Sequence, residues 1–281
     1  MTRLIVNADD FGLTPGINRA VVELHAAGVL TSTTLMALAG ATRDAMEKAR
    51  AVPGLGVGCH IVLVDGESVL PPRKIPSLID NKTGRLLPTL GAFLARLLTG
   101  RMRVDEIEAE ARAQIERLQD RGVQLTHVDT HKHTHMFPRI LRPVLRAAES
   151  RGIRAIRNPF EPAWAVEATH GAAWMRVAQV SLLRTLEPRC RRILAEKQFA
   201  TTDGTIAVVG TGTLDIETVR ALLRHVPPGT WELVTHPGYN DADLDRVRTR
   251  LRASRDTERE ALQALKEFPG VELISFAELA K

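Results

Sequence analysis

The sequence contains little cysteine and few aromatic residues. Its 281 residues include two cysteines and one tyrosine, and aromatic side chains make up 4% of the chain. Two cysteines, Cys59 and Cys190, can form neither a disulfide scaffold nor a four-thiolate zinc site. We therefore expect the fold to depend on an ordinary hydrophobic core, and we interpret Cys59 as a small core residue rather than a nucleophile.

Long apolar runs are also missing. No stretch approaches the roughly 18 residues that a transmembrane helix needs. The first segment, MTRLIVNADD, reaches acidic residues too early for a signal peptide, so we expect a cytoplasmic protein. No glycine-rich phosphate-binding loop follows a predicted strand, which argues against nucleotide-dependent chemistry. The remaining composition, 44% hydrophobic and 25% charged, is typical of a soluble globular protein.

Positive charge is concentrated in one part of the chain. The net charge is +5, and between Arg139 and Lys197 twelve Lys and Arg residues stand against five Asp and Glu. We interpret this surplus as solvated helix faces; the alternative is a basic rim at a substrate site or a membrane surface. Aromatic residues in this segment have no regular spacing, so no nucleic-acid partner is expected.

Strands and helices alternate through almost the whole sequence, which predicts a parallel sheet with crossover helices. About seven such units in 281 residues predict a (β/α) barrel of the TIM type, complete or distorted. We expect one catalytic domain over residues 1–281. It includes a long excursion around residues 64–92 and a less recognisable segment at 160–230. The predicted strands are 3–8, 32–37, 54–63, 124–128, 153–156, 205–209, 231–235 and 271–274.

Acids and histidines follow several of these strands. The carboxyl ends of barrel strands face one mouth, so groups far apart in sequence can meet there. On an extended segment, alternate histidines share a side, so we expect at least one metal ligand in the string THVDTHKHTH. The candidate residues are Asp9, Asp10, His60, His127, Asp129, His131, His133, His135 and His236.

Aspartate and histidine around an open position are typical of a catalytic metal centre. A bound ion lowers the pKa of a water molecule, a second carboxylate can act as general base, and a separate histidine can protonate a leaving group. Each residue alone has a plainer interpretation. Asp9 and Asp10 can form a turn or cap, His60 can be a core histidine, and His236 can begin a turn before Pro237.

Five strings carry a resemblance to a known family. They are LIVNADDFGLTPGIN at 4–18, GVLTSTTLM at 28–36, GLGVGCHIVLVDG at 54–66, THVDTHKHTHMFP at 126–138 and THPG at 235–238. In this order they resemble the YdjC-like carbohydrate deacetylases. The resemblance implies a barrel-like α/β fold and removal of an N-acetyl group from an amino sugar by water activated on one divalent ion. Magnesium is the metal that the resemblance suggests, and Zn²⁺, Mn²⁺ or Co²⁺ would also suit the ligands.

The resemblance also assigns roles to positions. It implies Asp10, His60 and His131 as metal ligands, Asp9 as general base and His236 as acid, although either aspartate can turn toward the metal. The family often has histidine where Lys132 stands here, so that position has no assigned role. Residues that would orient ligands or contact the sugar are His127, Asp129, His133 and His135.

Two segments bear on the substrate. Residues 62–86 and the helix around Trp174 to Leu183 look more like the hopanoid-associated branch (HpnK) than the chitooligosaccharide branch. An N-acetylglucosaminyl lipid and a soluble N-acetylated oligosaccharide are therefore both candidate substrates. We expect this helix to face the core; the alternative is that it rests on anionic lipid at the membrane periphery. A homodimer is expected from the family.

Two other functions compete with the deacetylase. A metal-dependent phosphoesterase would need a second metal with bridging carboxylates. A non-catalytic protein that binds anionic lipid or nucleic acid would bind in a salt-sensitive manner without the histidines.

Overall fold

The computed structural model describes residues 1–279 and contains a curled, wholly parallel sheet with helices outside it. This confirms the predicted α/β class in the form of a distorted (β/α) barrel. The strands are β1 (Thr2–Phe11), β2 (Ser32–Met36), β3 (Gly56–Ile61), β4 (Val128–Thr130), β5 (Gly204–Ile206), β6 (Gly229–Thr235) and β7 (Val271–Leu273).

The strand order is β4-β3-β2-β1-β6-β5, with β7 also beside β1. One edge of β1 pairs with β6 over residues 2–8, and its other edge pairs first with β7 and then with β2. Between β4 and β5 the described chain has two isolated parallel bridges, Val128 to Ile156 and Ala155 to Ala200, in place of a paired strand. The barrel is therefore regular on one side and irregular on the other.

Helices cover the outside of the sheet. The first begins as its sequence predicts, with the Thr14 hydroxyl accepting the Ile17 N–H and Pro15 at the first helical position. The helices are α1 (Pro15–Ala26), α2 (Thr42–Ala51), α3 (Leu90–Leu98), α4 (Val104–Gln119), α5 (Pro138–Glu149), α6 (Ala163–Ala168), α7 (Trp174–Arg184), α8 (Glu187–Glu196), α9 (Ile216–His225), α10 (Ala242–Asp245), α11 (Ala253–Ala261) and α12 (Phe276–Leu279). No helix within residues 1–279 has both the length and the apolar character needed to cross a bilayer.

The central strand β1 is buried on both faces. Leu4, Ile5, Val6 and Ala8 are fully inaccessible to solvent. A parallel strand with other elements packed on both sides has a continuous apolar sequence instead of an alternating one. This explains why RLIVNA was recognisable as a strand.

The excursion at residues 64–92 is packed against α4. The Glu110 carboxylate accepts the N–H groups of Val69 and Leu70, and the Glu106 carboxylate accepts the Ser77 N–H. Ile75 and Leu78, which belong to the excursion, are fully buried. The excursion is thus a hydrogen-bonded part of the fold.

Two sequence predictions need correction here. The strand expected at 124–128 begins only at Val128, although the Thr126 N–H still donates to the Val57 carbonyl. The helix expected to face the core, α7, has no buried residue, and Trp174 is 77% exposed. Helix α7 lies on the outer surface, where a single side of it contacts the protein.

Candidate active site

Asp9 and Asp10 lie within the last residues of β1 rather than after the strand. The register between β1 and β2 shifts between Ala8 and Phe11, and Asp10 adopts a left-handed backbone with φ 64°. In a regular strand, neighbouring side chains point to opposite faces. A bulge redirects them, and here both buried carboxylates lie among the same histidines.

Asp10, His60 and His131 form a compact triangle of ligand atoms. Asp10 Oδ1 is 3.7 Å from His60 Nε2 and 3.7 Å from His131 Nδ1, and the two nitrogens are 3.2 Å apart. Atoms bonded to one ion at about 2.0–2.2 Å lie roughly 3–3.5 Å from one another. The three side chains, from β1, β3 and the turn after β4, therefore fit a single divalent ion.

Asp129 orients one of these ligands. Its Oδ1 accepts a hydrogen bond from His60 Nδ1 at 2.8 Å. That bond leaves the Nε2 lone pair of His60 facing the triangle, the usual arrangement of a carboxylate behind a metal-binding histidine.

The two histidines of the triangle differ in the protonation state that their surroundings favour. Burial lowers the pKa of His60, but the neighbouring carboxylates, Asp129 first among them, together outweigh burial and raise that pKa to about 9. Burial lowers the pKa of His131 to about 4, which keeps this imidazole neutral. An ion in the triangle would compete with the proton on His60.

A buried arginine, Arg157, holds the other carboxylates. Its Nη1 and Nη2 donate to Asp9 at 2.8 and 2.6 Å, Nη1 lies 2.6 Å from Asp129, and Nε donates to Glu232 at 2.7 Å. Burial raises the pKa of Asp9, but Arg157 outweighs it and holds the pKa well below its usual range. Burial raises the pKa of Glu232 to about 7 despite Arg157.

A second buried arginine serves Asp10. Arg255, from α11, donates from Nη2 to Asp10 Oδ2 at 2.6 Å. Burial raises the pKa of Asp10, but Arg255 and the neighbouring histidines bring it far below its usual value. One oxygen of Asp10 thus faces the arginine while the other faces the ligand triangle.

His236 follows β6 and faces two acids. Its Nε2 is 3.9 Å from Asp9 Oδ2, its Nδ1 is 3.7 Å from Glu258 Oε2, and its backbone N–H donates to that same Glu258 oxygen at 2.6 Å. Burial lowers the pKa of His236, but Glu258, Asp9 and Asp10 raise it above its usual value. The geometry therefore favours a protonated imidazole beside Asp9.

The comparisons with known proteins agree with this geometry. A sequence model of the family described as YdjC-like protein matches residues 3–267. The chain belongs to the YdjC-like family. It is 26% identical to a carbohydrate deacetylase of Thermoanaerobacter pseudethanolicus over 93% of this chain and 91% of that protein, and 30% identical to one of Mus musculus over 84% and 78%.

Other matches are shorter. A carbohydrate deacetylase of Brevibacillus brevis is 40% identical over 56% of this chain, and this match spans only 60% of that relative's length. A chitooligosaccharide deacetylase of Salmonella typhimurium is 40% identical over 53% of this chain and 57% of its own. Among solved structures, a candidate cellobiose-phosphate cleavage protein from Enterococcus faecalis has a TM-score of 0.76 and 26% identity, with 100% and 99% of the two chains covered.

The remaining histidines of this YdjC-like chain are not on an extended segment as expected. Residues 131–136 form a 3₁₀ turn with left-handed Lys132 and His133, because the strand ends at Thr130. His133 Nδ1 is buried and has no hydrogen-bond partner among residues 1–279. His135 bonds the Thr130 hydroxyl through Nδ1 and the Arg157 carbonyl through Nε2, so it joins β4 to the irregular side of the barrel.

Within the described residues, His127 forms no hydrogen bond to a residue of the ligand triangle. Its ring stacks on Phe276 with centroids 3.8 Å apart, and a Cβ at Gly58 would come within 2.6 Å of it. Gly58 is therefore required for close packing of this ring. The role of His127 in orienting the ligands stays a prediction.

Lys132 and the two cysteines lie outside the ligand triangle. Lys132 Nζ is 2.6 Å from Asp65 Oδ2, so it ties the histidine turn to the start of the excursion. Both cysteines are buried, and burial raises the pKa of Cys59 and raises that of Cys190 to about 11, which keeps them as thiols.

Sequence reasoning missed Arg157, Glu232, Arg255 and Glu258. Two of them had a signal: Arg157 directly follows a predicted strand, as His236 does, and Glu232 interrupts an otherwise apolar strand. Arg255 and Glu258 lie in a charged helix whose sequence resembles any solvated helix. Nothing in that sequence distinguishes them from their exposed neighbours.

Proposed function

We propose that this chain is a divalent-metal-dependent carbohydrate deacetylase that removes the N-acetyl group from an amino sugar, with residues 1–281 as one catalytic unit. The observation that carries the proposal is the ligand triangle of Asp10, His60 and His131, with Asp9 and His236 beside it. The deacetylases named among its relatives support the same reaction class.

The donor set fits a divalent ion because one carboxylate and two imidazoles supply charge and lone pairs within one small triangle. When bound, the ion would supply Lewis acidity, lowering the pKa of a water molecule and polarising the acetamide carbonyl. Magnesium is the metal that family resemblance favours, and the two imidazoles suit Zn²⁺, Mn²⁺ or Co²⁺ as well.

Asp9 accepts a proton from the attacking water. Arg157 keeps its carboxylate ionised and fixes its orientation, so Asp9 is available as a proton acceptor across the neutral range. The Asp9 oxygen that lies beside His236 Nε2 is Oδ2. A low pKa also makes Asp9 a weak base. We therefore expect Asp9 to deprotonate only a water molecule whose pKa a bound ion would have lowered.

His236 donates a proton to the amine nitrogen as the C–N bond breaks. An amide nitrogen leaves poorly as an anion, so cleavage needs a proton donor. Glu258 faces Nδ1 of His236 and stabilises the charged imidazolium before the transfer. Acetate and the free amine are the products.

The phosphoesterase alternative meets an obstacle. Asp9, His60 and Asp129 form a second group of close donor atoms. However, the Arg157 guanidinium is bonded to both Asp9 and Asp129 and already neutralises them. A second metal would have to displace a fully buried arginine, which argues against a two-metal site.

The substrate is proposed as either a soluble N-acetylated oligosaccharide or an N-acetylglucosaminyl lipid. The test is acetate release from a chitobiose-type sugar and from a glycolipid, with and without chelator and with each divalent metal. We expect chelator-sensitive release. The preferred substrate then shows whether the chain belongs with the chitooligosaccharide branch or with the hopanoid-associated branch of the family.

His131→Ala removes one ligand and should abolish both metal binding and acetate release. His170→Ala, at an exposed histidine outside the site, is the matched control. Full turnover by a metal-free preparation, or by the His131 variant, would exclude the proposed mechanism. Release of phosphate from a sugar phosphate with no acetate release would favour the phosphoesterase.

A further inference from the structure

Helix α7 exposes an apolar stripe to solvent. Trp174, Ala178 and Leu182 follow one another at intervals of four residues, and Met175 lies beside them on the same face. Trp174, Met175 and Leu182 are 77%, 58% and 70% exposed. A cluster of large exposed apolar side chains on one helix face marks an interaction surface.

The opposite side of α7 already contacts the protein. Val177, Val180 and Leu183 on that side are half-buried. The outward stripe is therefore additional to the packing that holds the helix in place. Rotation of the helix would not hide it without exposing the half-buried side.

Positive charge continues from the end of this stripe. A groove of about 540 Å³ starts at Thr185, directly after α7. Arg142, Arg189 and Arg192 line it, and so does Glu196, which pairs with Arg142 at 3.9 Å. Among the described residues, Arg189 and Arg192 form neither an ion pair nor a side-chain hydrogen bond. Two uncompensated guanidinium groups beside an apolar stripe complement an anionic surface that has an apolar interior.

We propose that α7 and the following arginine groove, together the α7 face, dock on the surface of an anionic lipid bilayer. Trp174, Met175 and Leu182 enter the headgroup–acyl boundary, where tryptophan is favoured, and Arg189 and Arg192 contact lipid phosphates. A second copy of this chain fits the face less well, because a twofold contact through it would bring four of these arginines into one interface.

A series of contacts through one loop connects α7 to the candidate active site. Arg176, in the first turn of α7, donates to the carbonyls of Val209 and Thr211 in the loop after β5. The Gly212 N–H in that loop donates to Glu258, which faces His236. Docking through α7 would therefore hold the barrel mouth near the bilayer. This consequence for the reaction rests on the proposed function, whereas lipid binding does not.

The test is co-sedimentation of the full chain with phosphatidylglycerol–phosphatidylcholine vesicles and with pure phosphatidylcholine vesicles. We expect binding to the anionic vesicles that weakens at high salt, and little binding to the neutral ones. Equal binding to both, or none to either, would overturn the proposal.

Two variants separate the contributions. The triple variant W174Q/M175Q/L182Q should lower vesicle affinity about tenfold or more, since it removes the inserted apolar area. R189Q/R192Q should lower it on the order of thirtyfold, at about 1 kcal/mol per arginine. The matched controls are L98Q on α3, where Leu98 is also 77% exposed, and R112Q/R224Q at exposed arginines elsewhere.

Two further measurements separate lipid docking from misfolding and from self-association. Unchanged thermal unfolding and unchanged acetate release from a soluble sugar would show that the variants fold and react normally. Vesicle binding that persists in the triple variant would overturn the proposal. So would a dimer in sedimentation equilibrium that only the triple variant dissociates, without any vesicle binding.

Discussion

The two sides of the barrel contribute different groups to the candidate site. The regular side, β1 to β4, supplies the three residues of the ligand triangle, Asp10, His60 and His131, directly on or after paired strands. The chain beyond β4 supplies Arg157 from the irregular side and His236 and Arg255 from the last third of the sequence. The first four strands thus carry the groups that would bind a metal, together with Asp129 behind His60, and the chain beyond β4 carries the arginines that pair with the buried acids.

This division follows from the cost of buried charge. Asp9, Asp10 and Asp129 are all nearly inaccessible to solvent. An ionised carboxylate is tolerated inside a protein only when it is paired and hydrogen-bonded. The guanidinium groups that pair with these acids both come from beyond β4. The motif-bearing side would therefore not form a stable site by itself.

Arg157→Met should have the largest effect on this arrangement. It leaves Asp9, Asp129 and Glu232 buried without their cation, and breaking such a group costs about 3–5 kcal/mol. Urea unfolding at neutral pH measures the loss, and failure to fold corresponds to its upper end. Arg154→Met, at a half-exposed arginine on the same segment, should change stability by about 0.5 kcal/mol or less. A similar small change for both variants would mean that the two sides are not coupled through this arginine.

Arg255→Met should have the next largest effect, on metal affinity. The variant frees Asp10 Oδ2 and so loosens the oxygen that faces the histidines. Loss of a partner behind a metal ligand weakens metal binding about 10–100-fold. Titration calorimetry with each divalent ion measures it, with Arg250→Met at an exposed site as the control. Undiminished affinity would show that Arg255 does not position the ligand.

Glu258→Gln should have a smaller effect, confined to pH dependence. Glu258 helps to raise the pKa of His236, and glutamine still offers an oxygen to the His236 N–H. A general acid works while protonated, so activity is present below its pKa and lost as pH rises through it. We expect the alkaline limb of the kcat profile to move down by about one unit, with activity at lower pH retained.

The matched control for this shift is Glu260→Gln, at an exposed acid two residues away. An identical profile for the Glu258 variant and the unaltered chain would show that Glu258 does not act through His236. A large loss of activity at every pH would indicate a structural role instead.

Much of the fold was predictable because its strands are continuous apolar runs. RLIVNA and the run around Cys59 are buried on both faces, and sequence identified both as strands. The strand predicted at 124–128 lies instead at Val128–Thr130, because the hydrogen bonds of β4 depend on the neighbouring strands rather than on its own residues. The single bridges at Ala155 and Ile156 show how little regular pairing the irregular side needs.

The surface of α7 was predicted incorrectly for a related reason. An apolar stripe at helical spacing is the same in a core-facing helix and in one that exposes it. The sequence around Trp174 and Leu182 therefore did not indicate whether this face of the helix is turned toward the core or toward solvent. Only the packing of neighbouring elements determines which side of such a helix is covered.

The sequence by itself determined the residue types and positions that place Asp10, His60, His131 and His236 at the ends of strands. Parallel strands bring their carboxyl ends together, so local patterns are sufficient for this. Tertiary structure alone decided which aspartate faces His60 and His131 and which arginines pair with the buried acids. Those outcomes depend on a bulge in β1 and on contacts across the barrel, between residues as distant as Asp10 and Arg255. Local sequence carries no record of such contacts, because their energy comes from burial and pairing that exist only after folding.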